Sequence, residues 1–271
     1  MVDVCAGIVT FNPDVEILKQ NITNIIQQVR CIVLFDNGSS NINEINNAVS
    51  DFCSVYLIKE SKNMGIAYAL NRLCGWAEQN GFEWILTLDQ DSISPCNLVD
   101  CLCKYIDEKV AIISPNIVYK GNEKHKVVSS QKSEEVEWTI TSASLTNIEV
   151  WKKLEGFDEW LFIDGVDYDY GVRANQCGYK VIRTYESELL HELGKLKCVV
   201  LFGKTIYVTN HSAIRKYYMS RNAIYLRKKL KKGKPFCTIT KYILKTAFFE
   251  NEKKSKISSI LHGVVDGLKS I

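Results

Sequence analysis

Apolar residues recur along the first 115 positions in two alternating rhythms. Short runs rich in β-branched residues at Val2–Thr10, Cys31–Phe35, Val55–Ile58, Trp84–Leu88 and Val110–Ser114 predict five strands. Between the first two, Val15, Leu18, Ile22, Ile25, Ile26 and Val29 fall at helical spacing. Ile42–Phe52, Gly65–Asn80 and Asn97–Glu108 predict three more helices, with Gly81 just past the end of the second of these. Strands alternating with helices fold as right-handed βαβ units. The result is an α/β, Rossmann-like, mostly parallel central sheet with helices on both faces. After Pro115 the alternation breaks. Tyr119–Ser133 is polar and reads as a surface hairpin or loop. Trp138–Thr146 and Lys180–Thr184 read as strands, and Asp167–Cys177 as a helix closed by Gly178. Beyond Ile214 the pattern is helical, interrupted at Gly233-Lys234-Pro235, and no internal repeat is present.

The length of 271 residues suits one large domain, or one with an appendage. Hydrophobic residues at 46% and charged residues at 24% exclude a disordered or fibrous chain. No apolar stretch approaches the roughly 18 residues of a membrane span. Nothing at the N-terminus resembles a signal peptide, so a cytoplasmic location is expected. The ten cysteines lie mostly among apolar neighbours and form no CxxC pair, which predicts reduced core thiols rather than a disulfide framework. Charge adds a real asymmetry. From Arg215 onward there are 15 Lys or Arg against 3 Asp or Glu, so an acidic body precedes a basic tail.

In an open α/β sheet, ligands gather at the carboxyl ends of the strands. Four polar clusters are predicted there: Thr10-Phe11-Asn12, Asp36-Asn37-Gly38-Ser39-Ser40, Lys62-Asn63-Met64-Gly65 and Asp89-Gln90-Asp91. One such cluster would be ordinary turn chemistry; four on one edge point to a polar ligand. Asp89 and Asp91 flank one residue beyond an apolar strand, a pattern that can hold a hard divalent cation. Asp91-Ser92 also reads as a helix N-cap. Asp36 reads equally as an Asx-turn residue or as an acceptor for the imide N–H of uracil or thymine.

Phe157–Arg173 packs five acidic residues among aromatics, a setting in which a carboxylate can act as a general base. A helix starting near Val166 puts Asp167 in its first turn, while Asp169 and Arg173 are i,i+4 partners with a structural role. His191 follows the later strand, where it could complete a metal's coordination.

With these residues in view, the chain resembles family-2 glycosyltransferases of the GT-A fold, and more narrowly the bacterial rhamnosyltransferases of O-antigen and capsule assembly. The resemblance is carried by Ile8–Pro13, Asp36–Ser39, Asn63–Ala67, Leu88–Ser92, Gly156–Glu159, Phe162–Asp164, Asp167–Asp169, Ile214–Tyr218 and Arg221-Asn222. It implies that Thr10, Asn12 and Asp36 hold the nucleobase and ribose, and that Asn63, Gly65 and Gln90 lie along the nucleotide. Asp89 would reach the ribose or the metal, Asp91 and His191 the metal, which is Mg2+ or Mn2+. Asp167 takes the place of the general base, with Asp164 as rival; Asp164 and Trp160 are acceptor-side candidates. Arg215, Tyr218 and Arg221 are candidates for the diphosphate or for membrane contacts.

The implied reaction is an inverting transfer, with dTDP-rhamnose as donor and a polyprenyl-diphosphate-linked saccharide as acceptor. It needs the 89–91 carboxylates and Asp167 to line one crevice. The expected organisation is a GT-A domain over residues 1–213 and a basic helical extension over 214–271. That extension would rest peripherally on the anionic inner face of the cell membrane or form a homodimer. Nucleic acid is not an expected partner, because the body is acidic and lacks a binding motif. Three alternatives stand beside this reading: a UDP-hexose or UDP-galactofuranose donor, a nucleotidyltransferase, and a non-catalytic nucleotide-sugar binder. The nucleotidyltransferase wants a Gly-rich basic loop where this chain has Thr10-Phe11-Asn12-Pro13.

Overall fold

A computed structural model describes residues 3–119, 129–191, 197–201 and 204–270, with the main chain alone at 119, 191, 197–201 and 204–207. The chain divides into two compact units. The first comprises residues 1–160 and 170–191, the second residues 161–169 and 192–271. The second unit thus begins earlier than the 213/214 boundary read from charge, and it takes part of the acidic segment with it.

In the first unit the predicted alternation is realised as β1 (Val4–Thr10), α1 (Val15–Ile25), β2 (Ile32–Asp36), α2 (Ile42–Val49), β3 (Val55–Lys59), α3 (Ile66–Gln79), β4 (Trp84–Asp89), α4 (Leu98–Cys103) and β5 (Val110–Tyr119). Then come β6 (Ser133–Glu135), β7 (Ser144–Asn147), α5 (Ile148–Lys153), a 3-10 turn at Glu159–Leu161, α6 (Val166–Gln176) and β8 (Lys180–His191); of these, Leu161 and the start of α6 through Asp169 belong to the second unit. The eight strands run in the order β3-β2-β1-β4-β7-β5-β8-β6. β7 pairs antiparallel with both β4 and β5, and β6 antiparallel with β8; the remaining pairings are parallel.

The β-strand pleat explains the layers. Val4, Ala6 and Ile8 of β1 face a core shared with Leu18, Ile22 and Ile25 of α1, Ile45 of α2 and Leu98 and Leu102 of α4. Gly7 faces the other way, toward α3, where a Cβ would stand 3.0 Å from Leu73 Cδ1. Each fully buried aliphatic side chain here contributes about 1.5–3 kcal/mol relative to exposure. The nine described cysteines are free thiols, and burial pushes the Cys5 and Cys74 thiols well above their ordinary value.

Several predicted elements are shorter or longer than their patterns; β5 runs on to Tyr119, past the predicted end at Ser114, and α2 stops at Val49 rather than Phe52. α4 stops at Cys103 rather than Glu108, because the Asp107 side chain accepts from Lys109 N (2.9 Å) and turns the chain into β5. Of the predicted 138–146 strand only the part from Ser144 pairs, in a strand that runs on to Asn147; Ala143 takes a positive φ of 58°, and the Thr141 carbonyl accepts from Thr87 Oγ1. β8 runs on to His191, well past the predicted end at Thr184.

In the second unit, β9 (Lys197–Leu201) and β10 (Lys204–Val208) form an antiparallel hairpin that the sequence pattern did not announce. The tail folds as α7 (Ala213–Leu230), α8 (Pro235–Phe249) and α9 (Lys253–Lys269). α7 ends on Lys231 in the left-handed region, and Pro235 opens α8, so the break falls where Gly233-Lys234-Pro235 predicts. α9 approaches α7 closely because Gly263 and Gly267 lack side chains; a Cβ at Gly263 would lie 2.3 Å from the Tyr217 carbonyl oxygen. The basic tail is not simply a solvated face. Lys216 and Lys256 turn inward, each with a side chain 3% exposed, and share the Glu250 carboxylate at 2.6 and 3.3 Å. A buried carboxylate held by two ammonium groups costs desolvation but fixes how the three helices meet. Among the described residues no helix is long and apolar enough to cross a membrane.

Candidate functional site

The four polar clusters emerge at the carboxyl ends of β1 to β4, as the parallel register requires. Thr10 pairs with Asp36 across β1 and β2, and Val9 with Asp89 across β1 and β4. Asp36 is buried and receives Thr10 Oγ1 at 3.2 Å and Ser39 N at 3.0 Å. A carboxylate accepts about four hydrogen bonds, so two leave capacity for a donor such as an imide N–H. Asn12 sits at a φ of 49°; its N–H donates to Ser39 Oγ at 2.8 Å, and its Oδ1 accepts from Ser40 N and Oγ, both at 2.8 Å. Asn12 is therefore a tie between the first and second loops.

The third loop is tied to the second by Asn37, whose importance the sequence reading missed. Asn37 Nδ2 donates to Asn63 Oδ1 (3.2 Å) and the Gly65 carbonyl (3.1 Å), and its Oδ1 accepts from Met64 N (2.8 Å). Asn63 Oδ1 also accepts from Gly65 N at 2.9 Å, and Gly65 is the N-cap of α3. In the fourth loop the Asp89 carbonyl accepts from Asn21 Nδ2 (2.8 Å), and Gln90 Oε1 accepts from Phe11 N (2.8 Å). Asp89 is half-buried and Asp91 exposed. Asp91 is no helix cap, since α4 begins only at Leu98 with Asn97 as its N-cap. Among the described residues no group of three or more His, Cys, Asp and Glu gathers into a ready metal cage. The oxygen-only donors Asp89 and Asp91 suit a hard cation that completes its shell from a ligand's phosphates. The side chain of His191, at the end of β8, lies outside the described residues.

Of the second set of predicted residues, Asp164, Asp167, Asp169, Arg215, Tyr218 and Arg221 belong to the second unit. Asp167 lies half-buried in the first turn of α6, where a negative charge suits the helix dipole. The segment before it is shaped by positive φ at Phe162 (62°), Asp164 (64°) and Gly165 (86°). Such a conformation costs on the order of 1–3 kcal/mol at each non-glycine residue, so it has to be held. α7 holds it. Arg215 grips both Asp164 oxygens (Nη2 2.9 Å, Nε 3.1 Å), and the Tyr218 ring stacks on Phe162 with centroids 4.7 Å apart. Arg221 Nη2 donates to the Leu161 carbonyl at 3.1 Å and is 4.7 Å from the Tyr218 ring centroid.

Tyr218 and Arg221 thus pack on the 161–164 segment, and Arg221 is only 9% exposed. Arg215 is committed to Asp164. That two-pronged ion pair anchors Asp164, the rival to Asp167, to α7. Asp169 is fully buried with Lys229 of α7 at 2.8 Å, while Arg173 donates to the Leu154 and Gly156 carbonyls in the first unit. Trp160, in the 3-10 turn of the first unit, is 38% exposed.

Gly38 gives the loop assembly a direct test. Its φ is +83°, and an added Cβ would stand 2.5 Å from the Lys62 carbonyl carbon, whereas Gly81 (φ +76°) has nothing within 4 Å. Gly38→Ala is therefore expected to lower the melting temperature by several degrees more than Gly81→Ala, which carries the φ strain alone. Equal shifts in thermal unfolding would contradict the close approach of the second and third loops.

No profile of a known protein family matches the chain. The dTDP-rhamnosyl transferase RfbF of Shigella flexneri is 31% identical over 243 residues, covering 84% of this chain and 80% of that protein. Among solved structures, GalNAc-T7 with UDP, GalNAc and Mn2+ superposes with a TM-score of 0.61 at 13% identity. It covers all of this chain, which spans only 56% of that one. TarS 1–349 of S. aureus gives 0.60 at 11% identity over 98% of this chain and 81% of its own. At such identities these two neighbours speak for the fold, and the fold they share is GT-A. The sequence relative speaks for the family: the chain belongs to the rhamnosyltransferases of the family-2 type, enzymes of GT-A fold that transfer a sugar from a nucleotide-sugar donor.

Proposed function

We propose that the protein moves L-rhamnose from dTDP-rhamnose, with inversion, onto a hydroxyl of a growing lipid-linked cell-surface saccharide. The observation that supports the donor is the 31% identity to a dTDP-rhamnosyl transferase over most of both chains. The loops support it chemically: Asp36, buried beside Thr10, offers a carboxylate to the imide edge that thymine and uracil share. Asn63 and Gly65 line the nucleotide, and Gln90 props the first loop. UDP sugars are the competing donors, since TarS has been solved with UDP-GlcNAc and the two bases present the same imide.

Asp89 and Asp91, with His191 as a further ligand, would hold Mg2+ or Mn2+, which when bound neutralises the diphosphate of the leaving group. Asp167 takes the proton from the acceptor hydroxyl. The acceptor oxygen forms its bond to the anomeric carbon as the bond to the diphosphate oxygen breaks and that oxygen leaves with the electron pair. Holding acceptor and donor in line supplies much of the acceleration. Asp167→Asn keeps the shape of the side chain and removes its capacity to take a proton. Turnover of dTDP-rhamnose is expected to fall at least 100-fold, with dTDP affinity within about threefold of the parent by calorimetry. Undiminished turnover would overturn the base assignment.

The second unit supplies a surface for the acceptor's lipid. Phe236, Leu244 and Phe248 are exposed by 64, 50 and 69% and share one face of α8, flanked by Lys241 and Lys245. α8 carries no acidic residue, so this apolar and basic face suits an anionic bilayer surface better than an acidic protein body would. Replacing the three apolar residues by Ser is expected to reduce sedimentation with phosphatidylglycerol vesicles at least tenfold. Sedimentation equal to the parent would contradict the assignment of that face.

A further inference from the structure

Asn222 lies one helical turn beyond Tyr218 on α7, and its side-chain amide is fully used. The two Nδ2 hydrogens are shared among three main-chain carbonyls of one short segment: Leu161 at 2.9 Å, Ile163 at 2.7 Å and Asp164 at 2.7 Å. Oδ1 accepts from Arg221 Nε at 3.0 Å, which fixes which way the amide faces. Asn222 is 2% exposed, so water does not compete for these bonds. The segment it holds needs such a hold. Ile163 N reaches back to the Leu161 carbonyl at 2.7 Å, closing a three-residue turn around Phe162 at φ 62°, a rare and strained geometry. The Leu161 carbonyl thus receives Ile163 N, Asn222 Nδ2 and Arg221 Nη2 together.

The turn runs directly into α6. Asp169 N donates to the Gly165 carbonyl at 2.9 Å, so the first helical bond starts at the residue after the three carbonyls end. Asp167 lies between those two residues, in the first turn of α6. Gly165 closes the arrangement: a Cβ there would lie 2.7 Å from Leu226 Cδ1, one turn beyond Asn222 on α7. We infer that Asn222 is a positioning residue for the reaction: its amide gathers the carbonyls of residues 161, 163 and 164 and thereby sets the direction in which Asp167 leaves α6. The inference rests on Asp167 being the base. Aspartate cannot replace Asn222, since it offers acceptors to three acceptors; glutamine keeps the donors but adds a methylene. Neither the buried pair geometry around Glu250 nor the α8 surface enters this device.

The test compares Asn222→Ala with the parent by two readouts, with Asp167→Asn alongside. Amide hydrogen exchange is expected to quicken at 161–169 while α8 and α9 keep their protection. The kcat for dTDP-rhamnose, with water or a lipid-linked saccharide as acceptor, is expected to fall 10- to 100-fold, with donor KM within threefold. A kcat equal to the parent overturns the inference, whether or not exchange at 161–169 changes, and leaves the base assignment standing if Asp167→Asn is inactive. A rise in KM equal to the fall in kcat also overturns it, as a sign of general loosening. Full turnover by Asp167→Asn removes the base reading and the inference with it. If Asn222→Ala loses its cooperative thermal transition, Asn222→Ser is read by the same two measurements and the same outcomes.

Discussion

The placement of β1 between β2 and β4, parallel to both, is the constraint on which the chemistry depends. Parallel pairing sends all three strands to the same edge. The register then puts Thr10 beside Asp36 and Val9 beside Asp89, so residues from three distant parts of the chain arrive within one turn of each other. The core beneath them leaves little room for slippage: a one-residue shift would turn Val4, Ala6 and Ile8 away from α1 and bring Gly7 into their place. Burial fixes the register, and the register delivers the polar loops.

Polar ties then make a rigid edge out of flexible loops. Asn12, Asn37, Ser39 and Gln90 each bond across loops rather than within one. Glycine permits the closest contact, at Gly38 against the Lys62 main chain. A preformed edge of this kind spends little entropy on ordering when a ligand arrives, which favours tight recognition of a small polar molecule. The same logic operates in the second unit with different materials. There a strained turn is held by one face of α7, through an ion pair at Asp164, a ring stack at Phe162 and main-chain carbonyls at 161–164.

Much of this was legible in the sequence, and the parts that were not share a cause. β1 to β5 and their helices announce themselves because each buries its own apolar run against immediate neighbours in the chain. The polar clusters were visible as residues, and their position followed from strand order. What local pattern could not supply was the partner of a polar side chain. The family resemblance made Arg215, Tyr218 and Arg221 candidates for the diphosphate or for membrane contacts; the partners the structure gives them are Asp164, Phe162 and Leu161, some fifty to sixty residues earlier. Spacing on α7 carried a hint, since Arg215, Tyr218 and Asn222 share one helical face. The unit boundary was hidden for the same reason: the segment at 161–169 reads as a continuous acidic stretch, while its contacts lie with the tail.

The central claim is that the carboxyl edge of β1, β2 and β4 binds a nucleoside diphosphate with the help of Asp91. Thermal unfolding of the parent and of Asp91→Asn in dTDP, with and without Mn2+, tests it most directly, because Asp91 is exposed and its loss leaves the core untouched. A ligand that binds only the folded chain raises the melting temperature as its concentration rises. The account predicts that dTDP stabilises the parent, that Mn2+ enlarges the effect, and that Asp91→Asn loses the Mn2+-dependent part. No stabilisation of the parent by dTDP, or the same Mn2+ response in both proteins, would contradict it.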